Sequence, residues 1–296
     1  QPKLILTAFD YHPIFYKLSK ISSAKTLMLQ KGKRTRSDGI FNNKSLIEES
    51  RKEDFYVDYI FLYNKFTCNY YKKIIKGKYF SIGSFENNFN KIKFSTQKKE
   101  ILFISNFKLN NNKQLDKNCE SDDLVVFHLH KLALSRKIKF NILPKQDKEE
   151  TRKMEFSFYK NILKKNFIFI KKKNTSDSYK ITSRFKYIFC TYSTLGVENL
   201  SKGGRTGFIF FKSKNNPTRY YRFGSLEKIP HRGPFWTEKN KFDLNELKKV
   251  FYFVTKSKDK VWKSKSKLVG KKILEFDYNN KIFRSIVDKE LNRRVN

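Results

Sequence analysis

Short apolar runs alternate with stretches of helical periodicity along nearly the whole chain, and this restricts the fold more than any other feature. In the first hundred residues "KLILTAFD", "KTLMLQKGKR", "VDYIFLYNKFT" and "YFSIGSF" read as strands. "HPIFYKLSKIS" and "CNYYKKIIKG" read as helices between them, and the polar stretch ahead of "VDYIF" reads as a loop. "KEILFISNFKL", "IKFNILPK", "FIFIKK", "YIFCTY" and "TGFIFF" continue the strand series. "DLVVFHLHKLALSRK", the recurrence of Phe156, Tyr159, Ile162 and Leu163, and "DLNELKKVFYFVTKS" behind Asp243 supply helices. Strands alternating with helices predict βαβ crossovers and parallel sheets, so the expected class is α/β with two Rossmann-like domains. The polar residues 86–98, "ENNFNKIKFSTQK", are the expected linker, which divides domain 1–97 from domain 98–265 and leaves 266–296 as a helical tail.

Composition sets limits on the partners. The formal charge is +37, which first suggests nucleic acid or an acidic membrane surface. The basic residues are mostly Lys, however, and are scattered over the whole length beside abundant Asn, Ile, Phe and Tyr, amino acids that share A/T-rich codons. A solvated basic surface is therefore favoured over a nucleic-acid partner. Apolar residues make up 39%, too many for a disordered chain. Cys68, Cys119 and Cys190 have neither disulfide-framework nor zinc spacing, which fits a reducing cytoplasm. His128 and His130 lack a carboxylate or cysteine set at metal spacing, so neither a metal nor another cofactor is expected. No apolar run reaches the length of a spanning helix. Because Gln1 leads almost directly into a strand, the sequence reads as a piece that has lost upstream residues.

The stretch "YIFCTYSTLGVENLSKGG" holds the best candidate site. In a parallel sheet, ligands bind beyond the carboxyl ends of the strands, and a helix starting there offers unpaired amides and a positive dipole end. Ser193 or Thr194 can cap that helix or face phosphate oxygens. Gly196 admits a second backbone, and Glu198, one turn in, can accept from ribose hydroxyls. The plainer alternative is a capping serine with a glutamate that suits the dipole. Downstream, "GPFW" (233–236) reads either as part of a binding loop or as an aromatic plug on the core.

Taken together, "LILTAFDYHPIFYKLSK", "KTLMLQKGKR", "VDYIFLYNK", "KYFSIGSFENN", "ILFISNFK", "YSTLGVENLSKGGRTGFI", "GPFWTE" and "EFDYNNKIF" resemble the bacterial surface-carbohydrate biosynthesis proteins. That family has a glycosyltransferase-B-like fold and is related in plan to capsule and teichoic-acid polymerising transferases. The likeness runs from about residue 3 to residue 285, with Gln30-Lys31-Gly32 departing from the family's Gln-Asn-Gly and Asn106 from its Gln. It implies a metal-independent transfer of a glycosyl group from a nucleotide-sugar donor, or alternatively of a polyol-phosphate group, to a glycan or lipid-linked acceptor. The donor would sit on 98–265 and the acceptor on an incomplete 1–97, and the tail would dock on the latter through Ile282, Phe283, Ile286 and Val287.

Donor contacts are then expected from Ser105, Asn106, Lys108, Lys145, Ser193, Thr194, Gly196, Glu198 and Arg222, although any single Lys also reads as a solvated surface charge. Asp10 and His12, after the first strand, are the expected acid–base residues. The basic surface would suit peripheral contact with the anionic inner face of the plasma membrane. A basic RNA- or DNA-binding protein and a non-catalytic scaffold in glycan assembly are the alternatives.

Overall fold

The computed structural model describes residues 2–34, 39–90, 97–110, 112, 114–115, 122–173, 176–211, 223–224 and 226–292. In chain order the first elements are β1 (Leu4–Thr7), a 3-10 segment (Pro13–Lys20), β2 (Lys25–Leu29), α1 (Gly39–Asn42) and α2 (Lys44–Glu53). β3 (Tyr56–Leu62), α3 (Lys65–Tyr71), β4 (Lys76–Ser81), β5 (Lys98–Ile104), α4 (Asp122–Ser135) and β6 (Phe140–Leu143) follow. Then come α5 (Glu149–Leu163), β7 (Ile168–Phe169), α6 (Asp177–Ser183), β8 (Phe185–Cys190), α7 (Thr194–Ser201) and β9 (Arg205–Phe211). The last are β10 (Trp236–Lys239), α8 (Leu244–Lys256), α9 (Asp259–Ile273) and α10 (Lys281–Asn292).

The chain forms two compact units. Unit 1 comprises Gln1–Asn90, Gly224–Lys228 and Val269–Asn296, and unit 2 comprises Lys91–Phe223 and Ile229–Leu268.

In unit 1 the four parallel strands lie in the order β1-β2-β3-β4. β3 is buried from Val57 to Leu62 without alternation, as expected of a parallel strand covered on both faces. Met28, Val57, Ile60 and Leu62 pack with Phe15, Tyr16 and Tyr71 in one core cluster. Leu27, Leu29, Tyr59 and Phe61 form another, covered by Phe283, Ile286 and Val287 of α10. Ile282, expected on the same stripe, is 40% exposed. Tyr59 is also tied to α10, since its hydroxyl donates to Glu290.

The stretch expected as a loop before β3 contains α2. The Asn43 side chain caps it by accepting from the Leu46 amide, Leu46 and Ser50 are buried, and Asp54 ends it in the left-handed region. The expected linker is packed at its start: Asn88 donates to the Ile82 carbonyl and to Asn280.

Unit 2 has six parallel strands in the order β10-β9-β8-β5-β6-β7. From β5 the chain builds outward through β6 to β7, then returns to the other side of β5 and builds through β8 and β9 to β10. Helix α8 packs on β9, with Asp243 capping it by accepting from the Asn245 and Glu246 amides. Phe189 and Phe251 stack, and Gly207 makes room for them: a Cβ there would lie 2.7 Å from the Phe189 ring. "GPFW" supplies the aromatic plug. Phe235 is fully buried against Trp236 and Trp262, and the Trp236 ring occupies the space beside Gly233. Among the described residues no helix is long and apolar enough to cross a membrane.

Candidate functional site

The direction of strand building reverses between β5 and β8, which makes their carboxyl ends the topological switch point of unit 2, the position where open α/β sheets bind ligands. Ile104 and Cys190 are register partners at that end. The loop at Ser105–Lys108 and the turn at Thr191–Ser193 therefore leave the sheet side by side.

The Thr191–Ser193 turn feeds directly into α7. Ser193 has an extended backbone (φ −149°, ψ 129°), and its hydroxyl accepts from the Gly196 amide at 3.4 Å, so it is the helix cap. Thr194 opens the helix and is half-buried. Thr191 is a group that the sequence reading missed. Its hydroxyl is buried and has no hydrogen-bond partner among the described residues, which is uncommon for a buried polar atom and marks the end of β8 as a place where a polar group is wanted.

Gly196 serves a different purpose from the one expected. What approaches it is side-chain atoms: a Cβ there would lie 2.6 Å from Cys190 Sγ and 3.3 Å from the Phe208 ring. The glycine lets α7 seat closely on the sheet, which fixes the height of the helix amides. Glu198 is not open to solvent either. It is 2% exposed and accepts from the Tyr179 hydroxyl of α6 at 3.2 Å. One turn further on, burial pushes the Lys202 ammonium down to about 8, with the negative charge of Glu198 acting in the opposite direction.

On the β5 side, Ser105 is committed to the loop. Its hydroxyl accepts from the Phe107 amide at 3.1 Å and from the Tyr159 hydroxyl at 2.9 Å, and the residue is buried. This corrects its expected role as a ligand contact. Asn106 is half-buried and Lys108 exposed at the same loop. Lys145, exposed after β6, is held by its backbone: its amide and that of Gln146 donate to the two oxygens of Glu155 at 2.9 and 3.0 Å. Glu155 is wholly buried, and desolvation raises its carboxyl although Ser105 and both amides act to lower it. Arg222 lies outside the described residues.

In unit 1 the expected acid–base pair is divided. Asp10 is completely buried and accepts from Arg34 Nε at 2.7 Å, from Arg34 Nη2, from the Lys31 amide and from the Tyr71 hydroxyl. With both oxygens taken up by a guanidinium, an amide and a phenol, Asp10 is an anchor for the loop after β2 instead of the base expected from sequence. Arg34 in turn lies over the Tyr11 ring. His12 is exposed at the start of the 3-10 segment, and its ring makes no cap. The other two histidines singled out in the sequence are packing groups. His130 donates to the Asn166 carbonyl, and His128 stacks on Phe242. Among the described residues no His, Cys, Asp and Glu are grouped to hold a metal ion.

Comparison with known proteins assigns this architecture. The profile of a family described as "putative O-antigen biosynthesis protein" matches residues 27–291. The chain belongs to this family. Among curated proteins none has a matching sequence. Similar solved structures include the glycosylation-associated protein Gap123 complex of Streptococcus agalactiae, at 14% identity over 98% of this chain and 54% of that one, with a TM-score of 0.56. A variant of the wall teichoic acid polymerase TagF is 15% identical over 98% of this chain and 72% of its own, with a TM-score of 0.55. The UDP-GlcNAc 2-epimerase of Methanocaldococcus jannaschii, in complex with UDP-GlcNAc and UDP, is 12% identical over 97% and 76%, with a TM-score of 0.54. These likenesses show the glycosyltransferase-B-like fold of two Rossmann-like domains. The chain spans about half the length of the Gap123 structure.

Proposed function

We propose that this O-antigen-family chain carries the donor site of a glycosyl-transferring enzyme of surface-polysaccharide biosynthesis. A nucleotide-sugar is bound at the switch point of unit 2. The helix amides after Ser193 and the Thr194 hydroxyl take its phosphates, Thr191 offers a further hydroxyl, and Glu198 takes the ribose. Lys108 and Lys145 stand at neighbouring strand ends, where positive charge would stabilise a departing diphosphate without a metal. Asn106 shares the Lys108 loop and would border the same ligand. The observation that carries this reading is the arrangement at the end of β8: an orphaned buried hydroxyl, a capped helix N-terminus and a buried carboxylate on the first turns, all at the switch point. The fold and family support it, and the named relatives include a teichoic acid polymerase and an enzyme structure holding UDP-GlcNAc.

The acceptor is proposed to be a glycan or a lipid-linked glycan handled by unit 1, where exposed His12 is the remaining base candidate and Asp10 holds Arg34 in place. Replacing Glu198 by Gln tests the donor site. A hydrogen bond to a charged acceptor contributes about 1.5–3 kcal/mol, so donor affinity falls roughly ten- to hundredfold. Calorimetry with UDP-, GDP-, CMP- and CDP-linked sugars on both proteins measures it. Equal donor affinities in the two proteins would refute the assignment of Glu198, and no binding of any of the donors would refute the site.

A further inference from the structure

A second candidate site lies within unit 2 at the outer edge of its sheet, two strands away from β5. β7 is the last strand in the order, and helices α5 and α6 flank it. Together they border a groove of about 900 Å³, a volume in the range of small-molecule sites. Its apolar lining is Phe156, Phe169, Ile170 and Ile181, and its charged lining is mostly cationic, with two carboxylates, Glu149 and Asp177, the latter accepting from the Lys173 amide at 2.9 Å. Some of those cations are already committed. Lys153 pairs with Glu149 at 3.0 Å, and Arg152 donates to the carbonyls of Lys172 and Asp147. Lys172 turns inward to Asp147 and the Lys145 carbonyl, which stiffens the strand end that forms one wall. Among the described residues Lys171, Lys173, Lys180 and Arg184 make no ion pair, and all four are exposed along the rim. Phe156 is likewise 39% exposed.

We propose that this groove binds an anionic membrane lipid, with its phosphate among the rim cations and its acyl chain on the aromatic and aliphatic floor. The charge complementarity is direct, and the floor decides between anions. A soluble phosphate or a polyanion would neutralise the rim and leave the apolar surface in water, whereas a lipid covers both. The site would seat unit 2 on an acidic leaflet at an edge separate from the donor turn, and it does not depend on the donor assignment.

The test uses the full chain and sedimentation with vesicles of phosphatidylcholine, with and without phosphatidic acid. Two triple variants with the same change in net charge are compared: Lys171→Glu/Lys173→Glu/Lys180→Glu at the groove, and Lys263→Glu/Lys265→Glu/Lys267→Glu on exposed α9 positions. Each lysine near an acidic surface contributes roughly fivefold and each introduced glutamate is repelled, so the groove variant is expected to bind acidic vesicles at least about a hundredfold more weakly, with little loss for the α9 variant. Phe156→Gln is expected to weaken acidic-vesicle binding several-fold, and glycerophosphate is expected not to compete. Circular dichroism checks that each variant is folded, and Phe156→Gln, at an exposed position, keeps the test available if the triple variant unfolds. The proposal is overturned if both triple variants lose binding equally, if folded Phe156→Gln binds as wild type does, or if glycerophosphate or RNA displaces the vesicles.

Discussion

Arg205, the first residue of β9, is a buried cation whose surroundings allow its contribution to be divided. Its guanidinium donates from Nη1 to the Val254 carbonyl at 2.8 Å and to Ser257 Oγ at 2.9 Å. From Nη2 it donates to the Ser257 carbonyl at 2.6 Å and to Asp259 at 2.7 Å. It also lies against the Trp262 ring. The carbonyls belong to the last turn of α8 and to its cap, where helical acceptors run out of amide partners. The arginine side chain is 6% exposed and that of Asp259 is 70% exposed. The ion pair is therefore screened on one side and contributes at most about 1 kcal/mol, whereas an orphaned buried carbonyl costs about 1–3 kcal/mol. Arg205→Met strands the buried Val254 carbonyl, takes the donors from half-buried Ser257 and gives up the cation's contact with the Trp262 ring, a loss of about 3–5 kcal/mol in total. For a unit of this size that lowers Tm by roughly 6–20 °C. Asp259→Asn should lose less than about 1 kcal/mol. Thermal and urea unfolding of wild type, both single variants and the double variant measure each part. If Asp259→Asn costs as much as Arg205→Met, the ion pair holds the α8–α9 junction and the capping argument is wrong.

Two further outcomes are expected at the candidate site. In Glu155→Gln one of the Lys145 and Gln146 amides loses its acceptor, so hydrogen exchange there should accelerate about tenfold or more; unchanged protection of both amides would show that Glu155 does not hold this loop. Lys202 has a folded value near 8 against an ordinary 10.5, with burial as the first cause. Below about 8 both states carry the proton and the burial cost is present in full; between the two values the unfolded chain binds more protons, so stability rises with pH and levels off above 10.5. Lys202→Met should lack that rise, as urea unfolding across this pH range would show, and identical pH profiles would place Lys202 in water.

The parallel sheets were legible because their inner strands are continuous apolar runs: β3, β5, β8 and β9 stand where "VDYIFLY", "EILFI", "YIFC" and "TGFIFF" mark them. Elements whose burial is sparse were not. α2 is mostly charged and α9 is rich in lysine, and α9 is held by a few positions such as Trp262, Ser266 and Ile273 that show no dense stripe. "FIFIKK" yields only the two residues of β7, which meet β6 at Asn141 and Ile142 alone. At the site, local chemistry was readable and long-range chemistry was not. The Ser193 cap is a matter of three residues. The Tyr179–Glu198 bond, the hold of Glu155 on the Lys145 loop and the enclosure of Asp10 by Arg34 and Tyr71 join groups that no periodicity connects. The bare hydroxyl of Thr191 becomes evident only once every neighbour is in place.

The order in which the units can be finished follows from how the chain is divided between them. Unit 2 has all its residues by Leu268, but unit 1, begun first, receives its last segment from Val269 onward. During synthesis the face formed by Leu27, Leu29, Tyr59 and Phe61 therefore stays without Phe283, Ile286 and Val287 until the final helix has been made. A ribosome still translating the tail holds a nascent chain with an uncovered oily face, the kind of surface that draws chaperones or sticks to its own copies. Translation stopped shortly before α10 would release a chain in which that face stays uncovered for good, so a helix of twelve residues decides whether unit 1 is closed.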